Sequence, residues 1–323
     1  MNRRLYSNPS LTIISDSKEI YKKVLFLCSI IDNMRNRNEE RIVRRQTTWH
    51  AINIKARRNQ NSAHYVHAFR SLQEEDPLVE LSRNRCESLK TVTYSEILDE
   101  DSVPHWIKVT LLAYTMIDPE AFYNRRSRED ITMEDWDSDV VANKKEVELI
   151  FIPSVHILAV KKSSEISLNS VVKYLSEALN RIEPDGFDVS VIVERDILDR
   201  ILTAHAIMRI EASVSYSNPG HTKGFQQTFE TKLRGMGANR FSVIAQGTTE
   251  HPLVDEEDGM IQAVVNLAEQ NGTVKATIQA TENARLENID SNEHPRVIVV
   301  PQIINNIYST LYNELKTIFG HNN

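Results

Sequence analysis

Apolar and polar residues alternate along much of this chain, which is the pattern of strands with one covered face. In 47–57, Ile52 and Ile54 alternate with Asn53 and Lys55. The alternation predicts a half-buried strand whose two polar side chains face solvent.

Similar patterns of apolar and polar residues predict the elements in the rest of the chain. Further strands are predicted at 87–98, 106–117, 149–152, 157–160, 187–194, 206–216, 239–247 and 272–280, with a hairpin return at 283–295. Helical spacing predicts helices at 17–45, 61–75, 167–183, 195–205, 222–235, 254–270 and 300–320. Ser167 or Asn169 is expected to cap the third of these helices. The polar segment 125–145 is expected to be a long loop.

This order of elements predicts an α+β fold of two domains. The first, 1–180, is expected to hold a mixed sheet with a basic N-terminal helix and strand. The second, 181–323, is expected to be a ferredoxin-like α+β domain that ends in a C-terminal helix.

Charge is unevenly spread along the 323 residues. The net charge is −7, but residues 1–70 contain 14 Lys and Arg against 5 Asp and Glu, a balance of +9. The remainder holds 24 (38 − 14) against 40 (45 − 5), a balance of −16. A basic first part in an acidic chain suggests a surface that faces a polyanion.

Cysteine content and hydropathy suggest where the protein works. The chain has only two cysteines, and no apolar run approaches the length of a membrane span. No small-residue cleavage site follows the N-terminal arginines. We therefore expect a cytoplasmic protein without disulfides and without a membrane partner.

Two groups of basic residues are candidates for binding phosphate. The first lies in 41–58 and the second in 223–240. Their members are Arg41, Arg44, Arg45, Lys55, Arg57 and Arg58, then Lys223, Lys232, Arg234 and Arg240. Such contacts would give sequence-tolerant nucleic-acid binding. Trp49, Tyr65 and Phe69 are either stacking platforms for bases or members of the core.

An arginine and histidine pair offers a catalytic alternative. Arg45 and His50 have the R-x4-H spacing that small helical ribonuclease toxins of the HEPN type use. There the arginine stabilises the charge of the scissile phosphate, and the histidine handles a proton. The predicted strand around His50 argues against that all-helical fold.

Other motifs for chemistry are incomplete. Asp185 and Glu194 suggest a metal-dependent nuclease, but Arg195 follows Glu194 and the required lysine is missing. The acidic run 255–258 falls at a predicted helix start, where carboxylates favour the helix dipole. No phosphate loop or zinc motif occurs. No metal or cofactor is therefore expected.

Several strings resemble an uncharacterised bacterial domain family. They are "ELIFIPSVHILAVKK", "VSVIVERDILDRILTAHAIMRIEASVSYSNPG", "DGMIQAVVNLAEQNGTVKATIQ" and "NARLENIDSNEHPRVI". The resemblance covers roughly 47–302. Members of that family are encoded beside phage-defence genes, and the order of elements is distantly similar to the phage-exclusion protein RexA of phage lambda.

The resemblance implies a two-domain homodimer that binds double-stranded DNA with little sequence preference, in anti-phage defence or phage exclusion. It carries over no catalytic residue. Two alternatives stay open, the ribonuclease built on Arg45 and His50 and a non-enzymatic interaction subunit whose partner is another defence protein.

Overall fold

The computed structural model describes residues 46–133, 137, 139–215, 224–254, 259–301 and 307–320. The predicted helix 17–45 and the acidic run 255–258 lie outside these ranges. The chain divides into two units, one of residues 1–47 with 300–307 and one of 48–299 with 308–323. The elements that carry the arguments below belong to the second unit.

The described elements are mixed α and β, as predicted. The strands are β1 (Gln46–Ala56), β2 (Val79–Ser82), β3 (Arg85–Tyr94), β4 (Ile107–Thr115), β5 (Phe122–Asn124), β6 (Glu129–Ile131), β7 (Ala142–Ile152), β8 (Ile157–Lys161), β9 (Phe187–Val191), β10 (Ala206–Val214), β11 (Phe241–Gln246), β12 (Gly272–Gln279), β13 (Glu287–Asp290) and β14 (Val297–Pro301). The helices are α1 (Ser62–Glu75), α2 (Leu168–Ile182), α3 (Arg195–Leu202), α4 (Gly224–Gly235), α5 (Met260–Asn271) and α6 (Ile307–Phe319), with a 3-10 turn at Ser291–Glu293.

The first sheet is curled and has the order β14-β1-β8-β7-β4-β3-β2, with β9 also paired to β1. Helices α1 and α2 pack on one face of it. Tyr65, Phe69 and Leu72 of α1 and Tyr174 and Leu175 of α2 are fully buried there. The Ser167 side chain accepts a hydrogen bond from the Ser170 amide. Ser167, one of the two residues predicted to cap α2, is therefore confirmed as the cap.

The second sheet has the order β11-β10-β12-β13, and its paired strands are antiparallel. Helices α4 and α5 pack against it around a second apolar cluster that includes Phe229, Leu233 and Val265. Its elements run β–α–β–α–β–β, whereas a ferredoxin-like split runs β–α–β–β–α–β. The ferredoxin-like arrangement is therefore not confirmed, and the boundary at 180/181 stays a prediction.

Strand β1 differs from its prediction. Residues 51–56 are all buried, including Asn53 at 6% and Lys55 at 2% exposure. The alternation predicted solvent for these two side chains, and that expectation is wrong. The reason is that helix α5 covers the polar side of this strand. The Asn53 amide donates hydrogen bonds to the Gln270 carbonyl and the Asn271 side chain of α5.

Two further predictions are corrected. The expected loop 125–145 contains strand β6, which pairs with β5 just before this range, and the first residues of β7. The expected final helix begins later than predicted, because Val297–Pro301 forms strand β14. Within the described residues, no helix is long and apolar enough to cross a membrane.

Candidate nucleic-acid interface

The first basic group ends in three residues, Lys55, Arg57 and Arg58, which we call the β1 basic end. Lys55 lies opposite Asp188 in the pairing of β1 with β9. It is 2% exposed. Burial, then the neighbouring Arg234 guanidinium, lowers the pKa of Lys55 to about 8, while Asp188 and Glu230 act in the opposite direction. Because its ammonium is enclosed by protein, Lys55 does not reach a phosphate at the surface.

Arg57 is held by acidic partners. Its Nε and Nη2 donate to the two carboxylate oxygens of Asp188 at 3.0 and 2.7 Å. Nη1 lies 3.6 Å from the Asp185 carboxylate. This fork geometry is the strong, bidentate form of an arginine and carboxylate pair. Arg57 therefore anchors β9 to β1, and of the three residues in the β1 basic end only Arg58 is exposed.

The second group is arranged differently. Lys232, Arg234 and Arg240 are all exposed, and we call these three residues the α4–β11 basic surface. The segment 231–247, which contains them, has no acidic residue. Within the described part of the chain, neither Lys232 nor Arg240 takes part in an ion pair. Lys232 and Arg240 are therefore presented to solvent without an ion pair in the described part of the chain, while Arg234 is exposed and also interacts with the charges around Lys55.

A helix end fixes the position of these charges. Gly237 has φ +68, and its amide donates to the Arg234 carbonyl, while the Ala238 amide donates to the Leu233 carbonyl. This pair of bonds is a Schellman motif, which needs a left-handed residue and so favours glycine. Lys232 and Arg234 stand in the last turn, where cations also favour the helix dipole.

The two groups, distant in sequence, approach each other in the fold. Arg234 and Arg57 both lie close enough to Lys55 to lower its pKa. Glu230, on the preceding turn of α4, is 4% exposed and acts on the same lysine. The end of β1 and helix α4 therefore meet across a buried cluster of charges, to which the exposed Arg234 also contributes.

This cluster includes residues that the sequence reasoning missed. We call Asn53, Lys55, Asp188, Glu230 and Asn271 the buried polar junction. Each is at most half-exposed, and four of them are below 9% exposure. Asp188 gave no signal in the sequence, because it alternates with the apolar Phe187 and Val189 in a strand, a pattern that predicts a side chain facing solvent. Glu230 gave none either, since it reads as an ordinary polar residue of a surface helix.

The aromatic side chains proposed for stacking belong to the core. Trp49 and Tyr65 are 0% exposed and Phe69 is 1% exposed. The Ala56 amide donates a 2.8 Å hydrogen bond to the Tyr65 hydroxyl, so this ring also fastens α1 to β1. None of the three presents a ring face to an unpaired base.

The residues of the ribonuclease alternative are only partly described. Arg45 lies outside the described residues, as do Arg41, Arg44 and Lys223. His50 lies within β1 opposite Val160 and is half-buried. Burial, then Lys162, lowers its pKa. A further histidine, His64 of α1, stacks on Phe187 of β9, and its Nε2 lies 3.1 Å from the Glu183 carboxylate.

A shallow cavity of about 420 Å³ lies on the outer face of the second sheet. Its lining includes Arg209, Glu211, Lys275, Asp290 and Glu293. Lys275 pairs with Asp290 at 2.9 Å and Arg209 with Glu211 at 3.4 Å. With its cations already paired, this face offers a phosphate less than the α4–β11 basic surface does. Among the described residues, no three His, Cys, Asp or Glu side chains form a metal-binding group.

Comparison with protein-family models finds a match over most of the chain. The model of a family described as Domain of unknown function (DUF4747) matches residues 45–318. No curated protein matches the chain. The match spans both sheets and all six described helices except the last residue of α6.

Proposed function

The chain belongs to the DUF4747 family, and we propose that it is a nucleic-acid-binding component of an anti-phage defence or phage-exclusion system. In this proposal it acts in the cytoplasm as a homodimer and binds DNA with little sequence preference. The defence setting and the distant likeness to RexA rest on the sequence resemblance alone. The binding chemistry has support from the arrangement of charges.

The observation that carries the proposal is the α4–β11 basic surface. Lys232, Arg234 and Arg240 are exposed within an acid-free segment, and Arg58, which follows Arg57 of the charge cluster in sequence, is exposed as well. Four exposed cations of this kind neutralise phosphates without reading bases, because phosphate contacts carry no sequence information. A local positive field attracts DNA even when the net charge of the protein is negative.

The proposal predicts a specific dependence on salt. Each phosphate that is neutralised releases counterions, so the plot of log affinity against log salt steepens by about 0.9 per contact. We expect replacement of Arg58, Lys232, Arg234 and Arg240 by glutamine to flatten that plot by about three to four units. The measurement is fluorescence anisotropy with a labelled duplex of arbitrary sequence across several salt concentrations.

The chain offers a matched control for this experiment. Arg83, Arg125, Arg126 and Arg128 are equally exposed, in the turn after β2 and in the β5–β6 hairpin. Their replacement by glutamine removes the same charge from elsewhere, and we expect the salt slope to change by less than about one unit. Equal losses in both quadruple variants would show that net charge alone drives binding. Absence of any duplex binding by the wild-type chain at low salt would overturn the proposal and favour the interaction subunit.

A further inference from the structure

Strand β11 forms one edge of the second sheet, and its side chains are unusually exposed to solvent. All six residues of β11 are at least partly exposed, with Ile244 at 62%. Ser242, Ile244 and Gln246 lie on the solvent face. Phe241, Val243 and Ala245 face the apolar cluster beneath, yet they are only half-buried. Even the inward face of this strand is therefore incompletely covered.

The backbone groups at this edge can be assigned from the ladder. The Gly247 amide donates to the Met208 carbonyl of β10, so odd-numbered residues of β11 bond to β10. Ser242, Ile244 and Gln246 then direct their N–H and C=O groups away from β10. In the part of the chain that the structure describes, no group bonds to them. Such a row of backbone groups is a template for another strand.

Other sheet edges carry the features that normally prevent strand addition, and β11 does not. Edge strands are commonly protected by shortness, charge, proline or a bulge. β13 has four residues with charged Glu287 and Asp290 at its ends, and β2 has four residues and a shift in register. β11 has six residues with no charge and no proline, in unbroken register with β10.

We infer that β11 pairs antiparallel with β11 of a second copy of this chain, so that the two four-stranded sheets become one continuous sheet. A twofold axis through Ile244 places that residue opposite itself and Ser242 opposite Gln246. The three residue pairs would exchange about six backbone hydrogen bonds. The half-buried Val243 of one copy would lie opposite Ala245 of the other. This pairing would remove apolar side-chain surface from contact with water.

The charges at the two ends of β11 fit a second copy rather than an arbitrary strand. Arg240 precedes the strand and Glu250 follows it, and both are exposed. In an antiparallel pair with this axis, Arg240 of one copy approaches the segment that holds Glu250 of the other. The two Arg240 side chains lie about 27 Å apart, from eight residues at about 3.4 Å each. They are then separated by more than two screening lengths at physiological salt.

This inference specifies the homodimer of the proposed function, but its test needs no nucleic acid. Sedimentation or light scattering measures whether the 37.1 kDa chain is a dimer. We expect Ile244→Lys, which sets two like charges opposite each other, to raise the dimer dissociation constant about tenfold or more. Ile244→Pro should do the same, because its lost N–H points outward and not toward β10. Leu286→Lys, at 56% exposure beside β13, is the matched control and should leave the dimer intact.

A covalent test does not depend on how well the charged or proline variants fold. Residues opposite each other in a hydrogen-bonded antiparallel pair have Cα atoms about 5.5 Å apart, within the range of a disulfide. Ile244→Cys should therefore form a disulfide-linked dimer under mild oxidation, seen on a non-reducing gel, and Leu286→Cys should not. The inference would be overturned by a monomeric wild-type chain, or by a wild-type dimer that Ile244→Lys and Ile244→Pro do not weaken and Ile244→Cys does not crosslink. DNA binding would then be judged separately.

Discussion

The β1 basic end and the α4–β11 basic surface look alike in sequence but differ in the fold. Each places three cations within a short stretch. In the first, Lys55 is buried and Arg57 is clamped by Asp188, so only Arg58 reaches solvent. In the second, all three side chains are exposed. A count of basic residues therefore does not measure a phosphate-binding surface, because acidic partners supplied by distant segments decide which cations remain available.

The difference also assigns the two groups to different tasks. Lys55 lies opposite Asp188, and Arg57 bonds to the same carboxylate, so both residues join β1 to β9, while Lys55 also interacts with Glu230 of α4. Lys232 and Arg240, by contrast, are exposed and take part in no ion pair within the described residues. Substitutions in the first group should act mainly on stability, and those in the second mainly on binding.

The largest effect is expected at Glu230, which is 4% exposed. Glu230→Leu leaves the Lys55 ammonium buried with less compensation, and removing one member of a buried charged pair costs about 3–5 kcal/mol. Lys232→Met also replaces a charged side chain by an apolar one, but at an exposed position, and should alter the free energy of unfolding by less than about 0.5 kcal/mol. Urea unfolding followed by circular dichroism measures both.

The double variant Lys55→Met with Glu230→Leu distinguishes loss of a partner from loss of packing. Replacing a whole buried pair by apolar residues is often close to neutral. We therefore expect the double variant to regain most of the lost stability. If Glu230→Leu is as mild as Lys232→Met, the contrast drawn between the two groups is wrong.

A smaller effect is expected from pH. The pKa of Lys55 is about 8 in the folded chain, against a usual value of 10.5. Between these two pH values the unfolded chain binds more protons at this site, so stability rises with pH across that window. At about 1.4 kcal/mol per pKa unit, the wild type should gain about 3 kcal/mol over Lys55→Met between pH 8 and 10.5. The stability of Lys232→Met should change with pH as that of the wild type does. If the stability of the wild type, Lys55→Met and Lys232→Met all changed with pH in the same way, the lowered pKa would not belong to Lys55.

The sequence predicted local structure well because local structure has local causes. Alternation located β3, β4, β9, β10 and β12, and the Pro-Ser turn located the β7–β8 hairpin. Strand β14 was not predicted, because its sequence, "VIVVP", directly precedes a pattern of helical spacing. The segment forms a strand by pairing with β1, which is far away in the sequence.

The candidate site could be predicted only in part, because its arrangement depends on contacts between distant segments. Nothing near Lys55 in sequence indicates that β9 supplies Asp188 opposite it, or that α4 brings Glu230 and Arg234 beside it. The alternation of 47–57 correctly predicted a strand but not its burial, since the cover over its polar side comes from α5. The exposed basic residues of α4 and their glycine cap were visible in the sequence.

The smallest effect in this comparison comes from single arginines. Arg240→Gln removes one exposed cation, so the slope of log DNA affinity against log salt should fall by about 0.9. Arg57→Gln removes a cation already held by two Asp188 oxygens, so the slope should stay within about 0.2 of wild type. Stability should respond in the opposite order, with a loss of about 1.5–3 kcal/mol in Arg57→Gln from its charged hydrogen bonds and little change in Arg240→Gln. We therefore expect one variant to lose salt slope but not stability, and the other to lose stability but not salt slope. A change in net charge alone, or general unfolding, would not produce this opposite pattern. A fall of about 0.9 in the slope of Arg57→Gln would mean that its pairing with Asp188 opens to admit phosphate, and the β1 basic end would then join the interface.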